Sequence, residues 1–544
     1  MAICAIYQKE WFKLKWYSLA LSSAMLVAAG YFWLNLTGQF AAIEPESMMW
    51  YRFTHLGDKP YSWLLYGFVL VGAITAVCQF VPEVVGKRVR ILAHLPIPLG
   101  HVVARHLLAG SLMVVFVNGL LAVLALTAFA GLYPVDIALV GFKDMLFGQL
   151  PALAIYLGLT ACIVESHWRY KIGKAVIAAL ATVGLFREYH GISDLLWLLV
   201  IPGMILLVAD SFLSIKTRRL TNLVCRVIVA ALVVMLVIDL SARLRGELAS
   251  SHDDYYVFYS PVLEQFVYQQ NGSGHQFSYG TEQAELSKSE FEVALPFVYW
   301  KNLDIQGKLP VTLDGRSFDK RAIRNARMSL QYDPVKLRDP YVALYPLFNP
   351  ISHKGAIPFP EQAFAVKADS LMVYEAETAE PNRPLTDELN QQLLASGVSF
   401  PIRKVWGKTT NMKPFDWGYF IKDSNNRIFN LRRADNVLLV EAVPVPASVG
   451  ELAFMQVSEN RHKLFYGYAI AANSQVYLIS YPDYGLIPLT LEGFDYHKMS
   501  LQLLADPLYY LVRFDDGENY HAARFDKQYN LLDKITLHAQ GSLH

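Results

Sequence analysis

Residues 81–98 read VPEVVGKRVRILAHLPIP. Lys87, Arg88 and Arg90 crowd together there, in a half of the chain that otherwise carries little charge, and Pro96 and Pro98 close the stretch. From Val84 to Leu95 the apolar residues Val84, Val85, Val89, Leu92 and Leu95 recur at intervals of mostly three and four, which predicts a short amphipathic helix. A proline cannot continue a helix, so Pro96 ends it. Apolar runs at 61–81 and 106–130 flank the stretch, and each has about the 20 residues that an α-helix needs to cross a bilayer. The segment therefore reads as a loop between two membrane spans.

Further candidate spans lie at 17–36, 146–165, 174–187, 195–213 and 222–242, making seven crossings. The first lacks a small-residue cleavage site and is followed by more spans, so it is not a signal peptide. Composition agrees: with 54% apolar, 13% aromatic and 17% charged residues in 544, the chain is richer in apolar and poorer in charged residues than a soluble protein of this size usually is. A formal net charge of +1 gives no reason to expect nucleic acid as a partner. Cys4, Cys78, Cys162 and Cys225 follow no metal or redox spacing and read as small apolar fillers.

Basic residues set the orientation, because translocating positive charge is disfavoured. Lys9, Lys13 and Lys15, then Lys87, Arg88, Arg90 and Arg105, then Arg169, Lys171 and Lys174, then Lys216, Arg218, Arg219 and Arg226 all fall on one side of a zigzag through seven spans. The opposite loops carry only Arg52, Lys59, Lys143 and Arg187. The N-terminus is thus expected in the cytoplasm of a bacterium, the spans in its inner membrane, and everything after residue 243 in the periplasm. In that last part, stretches such as NRIFNLRRADNVLLVEAV (426–443) and NSQVYLISYPDYGLIPLTL (473–491) alternate aromatic and β-branched residues between turn formers, the pattern of antiparallel hairpins. Their spacing of about 40 residues suggests a β-propeller, with a sandwich as the alternative. FDKRAIRNARMSL (318–330) and LTDELNQQLLASG (385–397) read as helices among the strands.

The first half resembles the permease subunits of ABC-2 type ATP-binding-cassette transporters over residues 5–215. The resemblance rests on YQKEWFKLKWY (7–17) before the first span and, after the second, on Glu83, Gly86, KRVRILAH and Leu95-Pro96. It implies that 7–17 lies along the cytoplasmic face and that the helix near 83–95 docks on a cytoplasmic ATPase. Glu83, Gly86, Lys87, Arg88, Arg90 and Leu92 would be the coupling residues. It also implies ATP and Mg²⁺ in the partner and no cofactor here. KPFDWGYFIKDSNNRIFNLRR (413–433) resembles an uncharacterised extracytoplasmic domain fused to such permeases.

Enzymatic motifs are broken or missing. Gly407-Lys408-Thr409 has Ile402 where a phosphate loop needs glycine, so it reads as a turn. His94, His101 and His106 do not share a helical face, and no metal site is expected from them. Neither a Gly-x-Ser-x-Gly elbow nor a His-Glu-x-x-His occurs, and Asp253-Asp254 and Asp515-Asp516 read as turn residues. Inside the seventh span, Asp239 stands out because charge in lipid is costly; with Arg243 one turn later it is a gating candidate or simply an interfacial pair.

The expectation is an α-helical transmembrane bundle at 1–220, a seventh helix and connector at 221–245, and a mainly β, propeller-like domain at 246–544. Such a chain is not an enzyme by itself. It would serve as the permease half of an exporter or extractor, working with an ABC ATPase, membrane lipid and a second permease copy, a homodimer before a heterodimer. The alternative is a non-transporting receptor or scaffold whose β domain binds an envelope protein.

Overall fold

The computed structural model describes residues 2–42, 46–93, 98–189, 192–214, 223–248, 255–272, 276–460 and 463–538. The chain divides into two compact units, Met1–Leu248 and Ala249–His544.

The first unit is helical: α1 (Ala2–Ala42), α2 (Glu46–Leu56), α3 (Ser62–Val85), α4 (Arg88–Ala93), α5 (Leu99–Ala130), α6 (Val135–Phe147), α7 (Gln149–Val164), α8 (Trp168–Leu185), a 3₁₀ segment Ile192–Leu199 leading into α9 (Val200–Ser214), and α10 (Leu223–Leu248). Among the described residues, six stretches are long and apolar enough to cross a membrane: Ile6–Ala42, Ser62–Val85, Leu99–Ala130, Val135–Val164, Asp194–Leu213 and Val227–Leu244. The fifth expected span, 174–187, corresponds to α8, whose first turns carry Arg169, Lys171 and Lys174 and make it too polar to qualify. It is packed in the bundle all the same. A Cβ on Gly158 of α7 would lie 2.3 Å from the Cβ of Ala178, so only glycine lets these two helices touch there.

Two details differ from the sequence reading. No separate segment precedes the first span, because residues 2–29 contain neither Gly nor Pro and α1 runs through them unbroken. The amphipathic helix expected from Val84 is divided, since α3 continues to Val85 and α4 starts only at Arg88. Lys87, between them, adopts φ +54°, a left-handed conformation that breaks a helix. Residues 94–97, including His94, Leu95 and Pro96, lie outside the described residues.

The second unit is mainly β. A four-stranded meander comes first: β1 (Tyr255–Ser260), β2 (Gln265–Asn271), β3 (Phe277–Gly280) and β4 (Glu285–Leu286). Short helices α11 (Lys288–Ala294) and α12 (Trp300–Ile305), the hairpin β5 (Val311–Leu313) with β6 (Arg316–Phe318), and α13 (Lys320–Ala326) follow. Then come β7 (Met328–Tyr332) and a three-stranded sheet of β8 (Leu344–Pro346), β9 (Gln362–Val366) and β10 (Leu371–Glu375). Helix α14 (Arg383–Ala395) precedes two four-stranded meanders. One is β11 (Lys404–Gly407), β12 (Tyr419–Lys422), β13 (Ile428–Ala434) and β14 (Val437–Val443). The next is β15 (Leu452–Val457), β16 (Phe465–Ala471), β17 (Val476–Ser480) and β18 (Leu486–Leu489). A last meander, β19 (Ser500–Ala505), β20 (Tyr510–Asp515), β21 (Asn519–Phe525) and β22 (Leu531–His538), takes β7 as a fifth strand against β19.

The hairpins expected at 426–443 and 473–491 are therefore present. Between β13 and β14, Asp435 and Asn436 both take positive φ, +47° and +64°, the geometry a two-residue type I′ turn requires. The closed propeller is not found among the described residues. Blades would need matched sheets, and among the described residues the sheets have four, two, three, four, four and five strands, with helices between some of them. Helix α14 forms as expected, burying Leu389 and Leu393 against Phe364 and Ile421. The stretch 318–330 is half helix and half strand, α13 and then β7. A larger core gathers Tyr332, Phe420, Phe454, Tyr468, Leu478 and Val512.

Candidate functional site: a charged network at one end of the helix bundle

Helices packed in lipid gain nothing from hiding apolar surface from one another, so polar side chains and close backbone contacts decide which of them meet. In this bundle the polar contacts concentrate at helix ends.

At one end, Glu10 of α1 is 1% exposed. Its Oε1 accepts from Lys13 Nζ (2.8 Å), and its Oε2 accepts from Gln79 Nε2 of α3 (2.8 Å). Gln79 also donates to the His106 carbonyl of α5 (2.8 Å) and accepts from the Tyr156 hydroxyl of α7 (2.8 Å). One carboxylate and one carboxamide thus join four helices. Glu83, one turn beyond Gln79, is fully buried and takes Lys13 at 3.1 Å and Lys9 at 3.0 Å on the same oxygen. His106 Nε2 stands 3.5 Å from Glu10, while its Nδ1 lies 2.8 Å from the Val102 carbonyl. The crossing is tight: a Cβ on Gly110 would fall 2.0 Å from the Tyr156 hydroxyl and 2.3 Å from Gln79 Oε1.

A second cluster joins α7, α8 and α9. Lys174 Nζ donates to Glu165 Oε2 (2.9 Å), Asp210 Oδ2 (2.8 Å) and Ser211 Oγ (2.7 Å). At the opposite ends of the helices, Lys59 pairs with Asp144 (2.8 Å) and Glu188 (2.7 Å), and the Tyr61 hydroxyl donates to Asp144 (2.7 Å). Beside these residues Arg187 reaches Asp239 at 3.1 Å, Arg243 reaches the same carboxylate at 2.7 Å, and Arg243 also donates to the Gly184 carbonyl at 3.1 Å. Helix α8 begins at the Lys174 cluster and ends at the Arg243 cluster, so it runs the length of the bundle although its composition alone would not place it there.

The sequence-predicted residues separate into two groups. Glu83 is not a surface contact; it is buried, and its position is fixed by two lysines of α1. Gly86 caps α3, with its N–H on the Pro82 carbonyl at 3.0 Å. Lys87 and Arg88 are exposed, and so are Val85 (77%) and Ile91 (65%), while Val89 is buried. Arg90 and Leu92 belong to α4, but their side chains lie outside the described residues. Asp239 and Arg243 do pair, and Arg187 joins them from α8. Sequence reasoning had no signal for Glu10, Gln79 and Tyr156, which lie far apart in the chain. The one available clue was a carboxylate one turn from a lysine, in a segment that had been read as lying outside the bundle.

Among the described residues no group of three or more His, Cys, Asp or Glu is arranged to hold a metal ion. Lys408 sits in a loop after β11, its Nζ 3.5 Å from the Met412 carbonyl. Asp516 caps a turn by accepting from the N–H groups of Glu518 and Asn519, and Asp253-Asp254 lie outside the described residues.

The β unit holds a buried charged triad of its own. Lys413 Nζ lies 2.5 Å from Asp416 and 3.1 Å from Glu459, and all three side chains are buried. The Trp417 N–H donates to Glu459 (3.0 Å), and Lys413 stands 4.1 Å over the Phe348 ring. Burial pushes the Glu459 carboxyl up to about 7, with Asp416 adding to the shift and Lys413 and the Trp417 N–H opposing it.

A family described as a domain of unknown function, DUF4857, matches residues 256–524. The match falls on the β unit and spans the 413–433 stretch, from β1 to β21. No curated protein and no solved structure matches the chain.

Proposed function

We propose that the chain is the permease subunit of an ATP-binding-cassette transporter, with α4 and the Gly86–Arg88 turn as the docking point for a separate cytoplasmic ATPase that uses ATP and Mg²⁺. One observation carries the reading. An exposed basic turn with unpartnered apolar side chains, Val85 and Ile91, is joined directly to Glu83, and Glu83 is bound into a network of α1, α3, α5 and α7. Force or binding at the turn reaches four helices through one buried carboxylate. An ATPase that prefers one arrangement of those helices would shift the bundle by its differential affinity, the only way a bound partner drives such a change.

On this reading the end of the bundle holding Glu10 and Glu83 faces the cytoplasm of a bacterium, supported by the exposed Lys87 and Arg88 beside it. The β unit then follows in the periplasm. Two copies complete the pathway, the spans export or extract the substrate, and the Arg187–Asp239–Arg243 cluster at the far end serves the gating role.

The test is purification of tagged Lys87→Glu/Arg88→Glu beside the wild type, with identification of what is retained and measurement of ATP turnover. The wild type should retain an ATPase and the double variant should lose it while still inserting in the membrane. Equal retention and turnover would defeat the docking assignment. A wild type that brings down an envelope protein and no ATPase would favour a receptor instead.

A further inference from the structure

The β unit contains a cavity of about 300 Å³ between β1, the segment after α11, the start of β7, and β19 with β20. That is at the lower end of the range used by small-molecule sites, which are mostly apolar with a few placed polar groups. Phe258, Leu295, Phe297, Leu504 and Leu511 line it, and Arg327 stands at its edge. Leu295, Phe297 and Leu511 are buried by the surrounding structure, so these walls exist before any ligand arrives.

The charges around this cavity are unequal. The Arg327 side chain is exposed, and the charge it faces is that of Asp506. A second guanidinium, Arg524, lies 3.8 Å from the Tyr259 ring and 4.7 Å from the Tyr509 ring, two aromatics that also face the cavity. The one lining carboxylate, Asp506, accepts from the N–H groups of Leu508 and Tyr509 in its own turn at 2.7 Å each; it also faces Lys527 and Arg327, a single negative charge among three cations counting Arg524. Lys527 also binds the Asp506 carbonyl at 2.5 Å. Apolar walls with an excess of positive charge at the mouth suit a ligand with an apolar body and an anionic head. A planar guanidinium matches a carboxylate by two parallel hydrogen bonds.

We propose that this cavity binds a single-chain alkyl carboxylate, its chain against Phe297 and Leu504 and its head group on Arg327. The site is independent of the permease reading, since it uses only residues of the β unit and needs no ATPase.

The experiment uses the full chain in phosphatidylcholine nanodiscs, irradiated with a diazirine-bearing dodecanoate and mapped by peptide mass spectrometry. Label should appear on peptides containing Phe297 or Leu504 and be competed away by excess dodecanoate. Dodecanol and dodecyltrimethylammonium should compete poorly. Arg327→Glu should weaken competition at least about tenfold, the scale of one lost charged hydrogen bond. Leu504→Trp should abolish labelling by filling the space, and an unchanged thermal melt of each variant shows that its fold is intact. Label confined to the helix unit, equal competition by dodecanol, or undiminished labelling of a folded Arg327→Glu protein would each overturn the site.

Discussion

Each of the two units contains a buried charged cluster, and the clusters are built differently. In the helix bundle, Glu10, Gln79, Glu83 and Tyr156 come from α1, α3 and α7 and are the means by which these helices and α5 recognise one another. In the β unit, Lys413 and Asp416 are three residues apart and Glu459 arrives from the loop after β15; around them the apolar core already does the holding. A polar contact between membrane helices selects partners, because lipid offers apolar surface no incentive to pair. A buried ion cluster inside an apolar protein core adds little net stability but costs heavily when one member is removed. The same kind of chemistry is therefore assembly in one unit and vulnerability in the other.

That contrast gives the largest expected effect. Lys413→Met leaves Asp416 and Glu459 buried with no cation, and the loss should be about 3–5 kcal/mol, the usual result of breaking a buried pair. Chemical denaturation of the full chain in detergent checks it. A change close to zero would mean that the carboxylates take up protons freely and that the triad is no vulnerability.

Proton uptake is itself measurable. Glu459 has its folded-state carboxyl raised from 4.5 to about 7, so the folded state holds a proton that the unfolded chain releases. Its contribution to stability is fully present below pH 4.5 and is lost as pH rises to about 7, a change on the order of 3 kcal/mol. Glu459→Gln should flatten that part of the stability profile relative to the wild type. Parallel profiles would show that the carboxyl stays ionised throughout.

On the bundle side, Gly110→Ala places a methyl group where the Tyr156 hydroxyl and Gln79 sit. Overpacking of this kind costs about 1–3 kcal/mol, and here it should also part α5 from α7. Thermal unfolding reads the cost, and loss of a disulfide engineered between α5 and α7 reads the separation. If both survived, the close approach at Gly110 would have no part in assembly.

Residue pattern made some of this visible and left some of it hidden. Spans show because lipid demands about 20 consecutive apolar residues, and α8 fell at the margin because its charges serve a cluster inside the bundle. The hairpins show because Asp435 and Asn436 tolerate positive φ between alternating strands. Sheet closure is decided by contacts among distant meanders, and the pattern within each meander does not record it. Glu10 looks like one of many charges near an N-terminus; apart from the nearby Lys13, the partners described above, Gln79 and His106, stand 69 positions and more away, and no local period joins them. Glu83 draws notice in the sequence as a residue for contact with a partner, and in the structure it is buried and paired with Lys9 and Lys13 of α1, a pairing that no local pattern records.

The smallest effect on the fold belongs to Lys87→Glu/Arg88→Glu. Both side chains are exposed and outside the network, and surface changes of this kind shift stability by about 0.5 kcal/mol or less. Glu83→Gln, four positions earlier, removes a buried charge facing Lys9 and Lys13 and should cost more, while leaving the exposed basic turn unaltered. The pair of variants separates the two roles that the sequence merged in one stretch. If the turn docks a partner and the buried carboxylate transmits the event, the double variant should be stable and unable to hold an ATPase. Glu83→Gln should then hold the ATPase but turn over ATP without coupling it to movement of the helices, read by a fluorescent probe at Ser18 on α1. Were Glu83→Gln to lose the ATPase as completely as the double variant does, docking and transmission would not be divided between surface and interior, and the helix ends would have to be treated as one interface.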